Sequence, residues 1–135
     1  MSDLAKKLGI QAGMAICLLD APLEAEQAIR GAAPGALYST SLEEARYDRI
    51  LFWPDQLEGL AQRFAQLQRR IVSNGAIWAI MPKKAFAARR GVEFTWEQMQ
   101  AEGLQTDLVD NKVASITGQD YGTRFVIRKE RRSSL

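Results

Sequence analysis

The sequence predicts a layered α/β domain with a mostly parallel sheet that ends in an antiparallel hairpin. Apolar runs of strand length alternate with helical segments through residues 14–81. This alternation favours parallel strands joined by right-handed crossovers. Two more strand-like runs, residues 106–116 and 123–128, flank a segment with two glycines, which is a hairpin signal. We therefore predict a three-layer α/β domain with helices on both faces of the sheet.

The clearest pattern lies between residues 55 and 84. Apolar residues recur there at the i, i+3, i+4, i+7 spacing of a helix that buries one face. They are Leu57, Leu60, Ala61, Phe64, Leu67 and Ile71. Ser73, Asn74 and Gly75 are expected to end this helix, because Asn and Gly tolerate the left-handed conformation of C-terminal caps. The apolar residues 76–81 then predict a strand covered on both faces.

The chain before this helix divides into short elements. Asp3 can cap a first helix that ends at Gly9. The apolar residues 14–19 are typical of a central strand. Pro22 suits the first position of a helix that extends to about Gly31.

Two further strands are expected before the long helix. Residues 36–39 predict a short second strand, and residues 48–53 predict the third. The polar segment between them, residues 41–45, is compatible with one helical turn.

The chain after residue 82 is more polar. Residues 83–93 are basic and are expected to form a loop. Thr95 and Gln98 have the spacing of a capping box, which predicts a helix ending near Gly103. The tail, residues 129–135, is charged and is expected to be frayed.

Composition indicates one globular domain spanning residues 1–135. Apolar residues make up 47% of the chain and charged residues 25%, which are ordinary values for a soluble domain. No apolar run is long enough to cross a bilayer, and the N-terminus does not resemble a secretory signal. We expect a cytoplasmic protein without a membrane partner.

Cysteine and histidine usage excludes several kinds of chemistry. The single cysteine, Cys17, lies in an apolar run and is expected to be a small buried side chain. One cysteine cannot form an internal disulfide or a multi-cysteine zinc site. The absence of histidine excludes Ser-His-Asp and Cys-His catalysis and the usual imidazole metal ligands. General acid–base work would fall to Asp, Glu, Lys or Tyr, and we assign no catalytic residue and no metal.

Charge is distributed unevenly along the chain. Residues 1–60 contain five basic and nine acidic residues, whereas residues 61–135 contain thirteen and seven. Such a split is compatible with a homodimer, or with an anionic or protein partner.

The order of these elements resembles the Rossmann-like catalytic domain of S-adenosylmethionine-dependent methyltransferases. The resemblance rests on Gly13 before the first strand, residues 47–51 at the third and residues 73–76 before the fourth. More narrowly, the chain resembles a bacterial family of small methyltransferase-like proteins of unknown function. That likeness rests on residues 4–10, Ala21 with Pro22, and Pro82 with Lys83 and Lys84, and the whole resemblance covers residues 3–128.

The sequence departs from the methyltransferase pattern where the cofactor is held. Methyltransferases have a glycine-rich turn after the first strand, but here residues 19–23 contain no glycine and include Pro22, which lacks a backbone donor. The second strand ends without the usual acidic residue, and Glu43 and Glu44 come later. Compared with the methyltransferase pattern, one strand is missing between the second and third strands, because the segment between them is too short for the usual helix, strand and helix. The resemblance therefore implies a reduced scaffold without conventional cofactor binding.

The strand order expected for this methyltransferase-like sheet is 2-1-3-4-6-5. A ligand is expected beyond the carboxyl ends of the strands, where this order reverses between strands one and three. This places Asp20 near Trp53 and Asp55, with Lys83 and Lys84 one strand further along. Asp20 could accept a ligand hydroxyl or ammonium, or it could cap the following helix. Trp53 is the best aromatic candidate for a pocket wall.

Three functions remain open from the sequence. The first is a binding or interaction protein without catalysis. The second is a methyltransferase or other small-molecule enzyme with an altered loop. The third is a nucleic-acid or anion binder that uses the basic segment with Lys83, Lys84, Arg89 and Arg90, although these residues also suit a solvated loop.

Overall fold

The computed structural model describes residues 3–134, with side chains through Arg132, and forms a six-stranded sheet between two layers of helices. The strands are β1 (Ala15–Leu19), β2 (Leu37–Ser39), β3 (Tyr47–Phe52), β4 (Ile71–Pro82), β5 (Leu108–Ser115) and β6 (Asp120–Ile127). The helices are α1 (Asp3–Leu8), α2 (Leu23–Ala32), α3 (Leu60–Gln68), α4 (Lys84–Arg90) and α5 (Trp96–Gly103), and a 3-10 helix (Lys129–Ser134) follows.

The sheet has the order β2-β1-β3-β4-β6-β5, which confirms the fold class and strand order expected from the sequence. Strands β2, β1, β3 and β4 are parallel to one another. Strand β6 runs antiparallel to both β4 and β5, so the C-terminal hairpin completes one edge of the sheet. None of the helices within residues 3–134 is long and apolar enough to cross a membrane.

Each face of the sheet has its own apolar core. Helices α3 and α5 cover one face, where the Phe64 ring contacts Phe52 edge-on at 5.3 Å and Phe125 at 4.8 Å between centroids. Helices α1 and α2 cover the other face, around the fully buried Trp78. The Trp78 indole donates a hydrogen bond to the Leu8 carbonyl at 3.3 Å and so attaches the end of α1 to the sheet.

The helix and the strand between residues 55 and 84 have different boundaries from those expected. Helix α3 ends at Gln68, and β4 already begins at Ile71, so the expected helix stop at Ser73–Gly75 was wrong. These residues lie inside β4, where its register against β3 shifts between Tyr47 and Arg49. A side chain at Gly75 would approach the Asp48 carbonyl at 3.1 Å. Glycine is therefore required by backbone contact rather than by a helix cap.

The basic segment after β4 is a helix, not the expected loop. Its first residue is Lys84, and Gly91, with a φ of 73°, ends it in the left-handed conformation. The three alanines of α4 favour a helix despite the charge. The expected capping box is confirmed. The backbone N–H of Gln98 donates to Thr95 Oγ1 at 3.1 Å, and the backbone N–H of Thr95 donates to the side-chain Oε1 of Gln98 at 2.9 Å.

Two smaller expectations also need correction. Residues 41–45 contain no helical turn. The hairpin turn ends before Asp120, because β6 begins there and includes Gly122. The tail contains a 3-10 helix through Ser134, and its fraying stays a prediction, while Met1, Ser2 and Leu135 lie outside the described residues.

Candidate functional site

The candidate site lies where two neighbouring parallel strands end. Leu19 at the end of β1 pairs with Phe52 at the end of β3, so the residues that follow each strand lie side by side. Asp20 and Trp53 occupy these positions and line a cleft of about 300 Å³, here called the switch-point cleft. The strand order reverses between β1 and β3, which is where open α/β sheets bind ligands. The structure thus brings two of the sequence-predicted residues together.

Asp20 has an unusual backbone conformation. Its φ is 61°, and within residues 3–134 it is the only residue other than glycine with a positive φ. The N-cap of α2 is Pro22 and has no side-chain cap hydrogen bond, so the capping role considered for Asp20 is not observed. The exposed Asp20 carboxylate makes no hydrogen bond or ion pair with any described residue. It is available to a ligand donor.

Trp53 is one of the residues that line the switch-point cleft. Most of its side chain packs with the core on the α1 and α2 face, and only 7% of the residue is exposed. The indole Nε1 is buried, and among the described residues it is the only buried side-chain nitrogen or oxygen without a hydrogen-bond partner. A buried N–H without an acceptor costs about 1–3 kcal/mol.

The rim of the switch-point cleft is mainly acidic. Asp55 and Glu58, from the segment before α3, lie there with Asp20, while Arg63 from the first turn of α3 is the one cation in the lining. The Arg63 guanidinium donates to Gln66 at 2.8 Å. Three carboxylates against one guanidinium favour ligands that carry hydroxyl donors or positive charge.

A second, smaller cleft adjoins the first. Its volume is about 180 Å³, and Asp20, Trp53 and Asp55 line it together with Arg90. Arg90 also forms an ion pair at 2.9 Å with Asp120, whose side chain is almost fully buried. This pair fixes the end of α4 against the start of β6.

Lys83 and Lys84 do not join Asp20 and Trp53 at the switch-point cleft. The Lys83 ammonium donates to Ser115 Oγ at 2.8 Å, at the end of β5. Lys84 lines a different cleft, between α4 and α5. Arg89 lies over the Phe86 ring at 5.8 Å. With Arg90 paired to Asp120, the basic group expected from the sequence is divided among separate contacts.

Sequence reasoning missed two charged lining residues, Glu58 and Arg63. The apolar repeat places Arg63 on the solvent side of a helix that was expected to open at Pro54 and Asp55. Helix α3 instead starts at Leu60, after Gly59 with a φ of 77°, which places Arg63 in the first turn beside the cleft. A glycine before an apolar helical repeat was the available signal.

Cys17 lies in the middle of β1, with its side chain in the core on the α3 and α5 face, and it does not line the site. It is fully buried, which confirms the prediction of a small core side chain. Burial raises the pKa of its thiol to about 11, so the nucleophilic thiolate is disfavoured. Within the part of the chain that the structure describes, no group of three or more His, Cys, Asp or Glu side chains could hold a metal ion.

The residues around the site do not fit S-adenosylmethionine as methyltransferases hold it. At the turn after β1, the left-handed position is occupied by Asp20 rather than glycine, and Pro22 offers no amide at the start of α2. No residue from the end of β2 lines either cleft at Asp20. At that end, Ser39 Oγ donates at 2.7 Å to the Ser41 carbonyl, and the next acidic residue along the chain, Glu43, comes four residues after β2.

The topology and the position of the site define a methyltransferase-like α/β domain. No protein-family model and no curated protein sequence match this chain. A TehB-like SAM-dependent methyltransferase from Corynebacterium glutamicum has a TM-score of 0.58 and 11% identity, over 93% of this chain and 87% of that one. The N-methyltransferase NodS from Bradyrhizobium japonicum has a TM-score of 0.57 and 10% identity, over 92% of each chain.

The pyocyanin biosynthetic protein PhzM is also similar, with a TM-score of 0.69 and 7% identity over 93% of this chain and 53% of the other. Likeness at such low identity establishes the fold alone. It does not establish an activity, because one fold supports many activities. The methyltransferase-like fold expected from the sequence is confirmed.

Proposed function

We propose that this protein is a non-catalytic binding protein on a reduced methyltransferase-like scaffold. The observation that carries the proposal is the turn after β1, where Asp20 and Pro22 stand in place of a glycine-rich cofactor cradle. A proline removes one backbone donor, and a residue with a side chain at the left-handed position hinders the close backbone approach that glycine allows.

The proposed ligand is a small molecule with hydroxyl or ammonium groups, bound in the switch-point cleft. The unpartnered carboxylate of Asp20 and the nearby Asp55 and Glu58 would accept its hydrogen bonds. The indole N–H of Trp53 lacks an acceptor but is buried away from solvent, so it is not assigned to the ligand. The carboxylates alone favour a ligand that donates hydrogen bonds.

Calorimetric titration with S-adenosylmethionine and S-adenosylhomocysteine tests the non-methylating part of the proposal. We expect no heat of binding, for the wild type and for Asp20→Gly alike. The variant restores one glycine but leaves Pro22 and the end of β2 unchanged. A micromolar dissociation constant for the wild type would refute the proposal.

The ligand part is tested by titrating glucosamine into ¹⁵N-labelled protein. The indole N–H signal of Trp53, assigned with Trp53→Phe, should shift while that of the fully buried Trp78 stays in place. Asp20→Asn should weaken binding about tenfold, because a hydrogen bond to a charged group contributes roughly 1.5–3 kcal/mol. Gln27→Ala, at an exposed position of α2, serves as the matched control. A shift at Trp53 that Asp20→Asn leaves unchanged would contradict the assignment.

The second candidate is a methyltransferase with an altered cofactor loop, and the similarity to solved methyltransferases favours it. Cofactor binding in the titration would make this candidate the primary one. An anion-binding role for the basic segment has less support, because Lys83 and Arg90 already contact Ser115 and Asp120. The homodimer suggested by the charge distribution stays a prediction that light scattering can test.

A further inference from the structure

A third cleft, separate from the two at Asp20, lies between α4 and α5, on the sheet face covered by α3 and α5. Its volume is about 340 Å³, within the usual range of roughly 300–1,000 Å³ for small-molecule sites. We call it the aromatic cleft. Its lining consists of Met81, Pro82, Lys84, Ala87, Val92, Phe94, Thr95, Trp96, Glu97 and Tyr121.

The walls of the aromatic cleft are held in place by specific contacts. The Trp96 indole donates to Thr123 Oγ1 at 2.7 Å, and Thr123 is fully buried in β6. The capping box at Thr95 fixes the start of α5, on which Trp96 lies. Val92 and Phe94, between the two helices, are buried against the core. The cavity is therefore formed before any ligand arrives, which lowers the ordering cost of binding.

One polar group of the aromatic cleft has only a weak partner. The Tyr121 hydroxyl is directed to the Met81 sulfur at 4.0 Å, a poor acceptor compared with an oxygen at about 2.7 Å. Burial first, and then the nearby Glu97 carboxylate, raise the pKa of Tyr121, so its hydroxyl stays protonated and can donate. A ligand oxygen would be a stronger acceptor.

Charge at the rim restricts the kind of ligand. Lys84 and Glu97 are exposed on opposite helices, and neither makes an ion pair with a described residue. The net charge of the lining is therefore zero, so the lining as a whole favours neither an anion nor a cation. Flat aromatic and apolar side chains make up most of the remaining wall.

We propose that the aromatic cleft binds an uncharged aromatic small molecule bearing a hydrogen-bonding oxygen, with the ring against Trp96 and Phe94 and the oxygen at Tyr121. This site is separate from the switch-point cleft, with which it shares no lining residue. Its occupation requires neither the proposed function nor S-adenosylmethionine.

The test uses 2-naphthol as the probe, with binding followed by saturation-transfer NMR and by the indole N–H signal of Trp96. Ala87→Trp fills the cleft and should abolish binding, whereas Ala88→Trp adds the same side chain to an exposed position of α4 that does not line it. Thermal melting establishes that both variants are folded.

Two further measurements sharpen the test. Tyr121→Phe should weaken 2-naphthol about fivefold, the loss expected for one hydrogen bond. The same variant should leave binding of naphthalene, which has no oxygen, unchanged. Equal 2-naphthol affinity in the Ala87→Trp and Ala88→Trp variants would overturn the proposal, as would a wild-type protein that does not bind 2-naphthol.

Discussion

The backbone at Asp20 gives the sharpest quantitative prediction. With a φ of 61°, this residue lies in the left-handed region, which costs a typical L-residue about 1–2 kcal/mol. Asp and Asn tolerate the region better than alanine does, and glycine adopts it without steric cost. Because the Asp20 carboxylate has no partner among the described residues, its removal sacrifices little side-chain energy.

The expected order of stability follows from these terms. Asp20→Ala should lower the free energy of unfolding by about 1 kcal/mol, and Asp20→Asn should change it by less than about 0.5 kcal/mol. Asp20→Gly should match or exceed the wild type, because the relief of the left-handed penalty outweighs or balances the roughly 0.5–1 kcal/mol of added freedom in the unfolded chain.

Urea unfolding monitored by tryptophan fluorescence measures these differences, and a loss of 1 kcal/mol corresponds to a fall of about 4 °C in Tm. Gln27→Ala, exposed on α2, is the control and should be nearly neutral. If Asp20→Ala proved as stable as Asp20→Gly, residue 20 would not require a left-handed backbone, and the account of this turn would fail.

Two other predictions concern the interior. Gly122→Ala should destabilise the fold by about 1–3 kcal/mol, because the new Cβ would lie 2.8 Å from the Trp78 ring and 3.3 Å from Ile116, whereas Gly118→Ala, with no atom within 4 Å, should be neutral in urea unfolding. Cys17 should react with a thiol reagent only after unfolding. Because the pKa of the Cys17 thiol is raised from 9.0 to about 11, the folded state binds more protons than the unfolded state in this range, and the free energy of unfolding should fall as pH rises from 9 to about 11. Cys17→Ala should remove this contribution to the pH dependence. An unchanged slope in the variant would contradict the prediction.

Much of the fold could be predicted because its signals are local. The apolar run that forms β1 and the helical repeat of α3 bury the residues that their periodicities select. The capping box at Thr95 involves residues only three positions apart, so sequence alone located the start of α5. The layered arrangement then followed from the handedness of crossovers, and the strand order followed from the resemblance to the methyltransferase sheet.

The predicted boundaries of helices and strands were wrong where a residue is compatible with both structures. Ile71 continues the helical repeat but is buried as the first residue of β4, so its burial did not discriminate. Ser73 and Asn74 suggest a helix cap, yet they lie in an irregular strand whose course is set by pairing with β3. The positive charge of residues 83–93 suggested a loop, but the alanines of α4 favour a helix.

The sequence by itself determined the layered α/β scaffold, the missing glycine turn and the convergence of Asp20 and Trp53, since these depend on local pattern and on strand ends that topology aligns. Only the tertiary structure decided that Lys83 contacts Ser115, that Arg90 pairs with Asp120, and that an aromatic cleft opens between α4 and α5. Those contacts join residues about 30 positions apart in the chain, and their geometry depends on register, helix placement and packing that no short sequence pattern encodes.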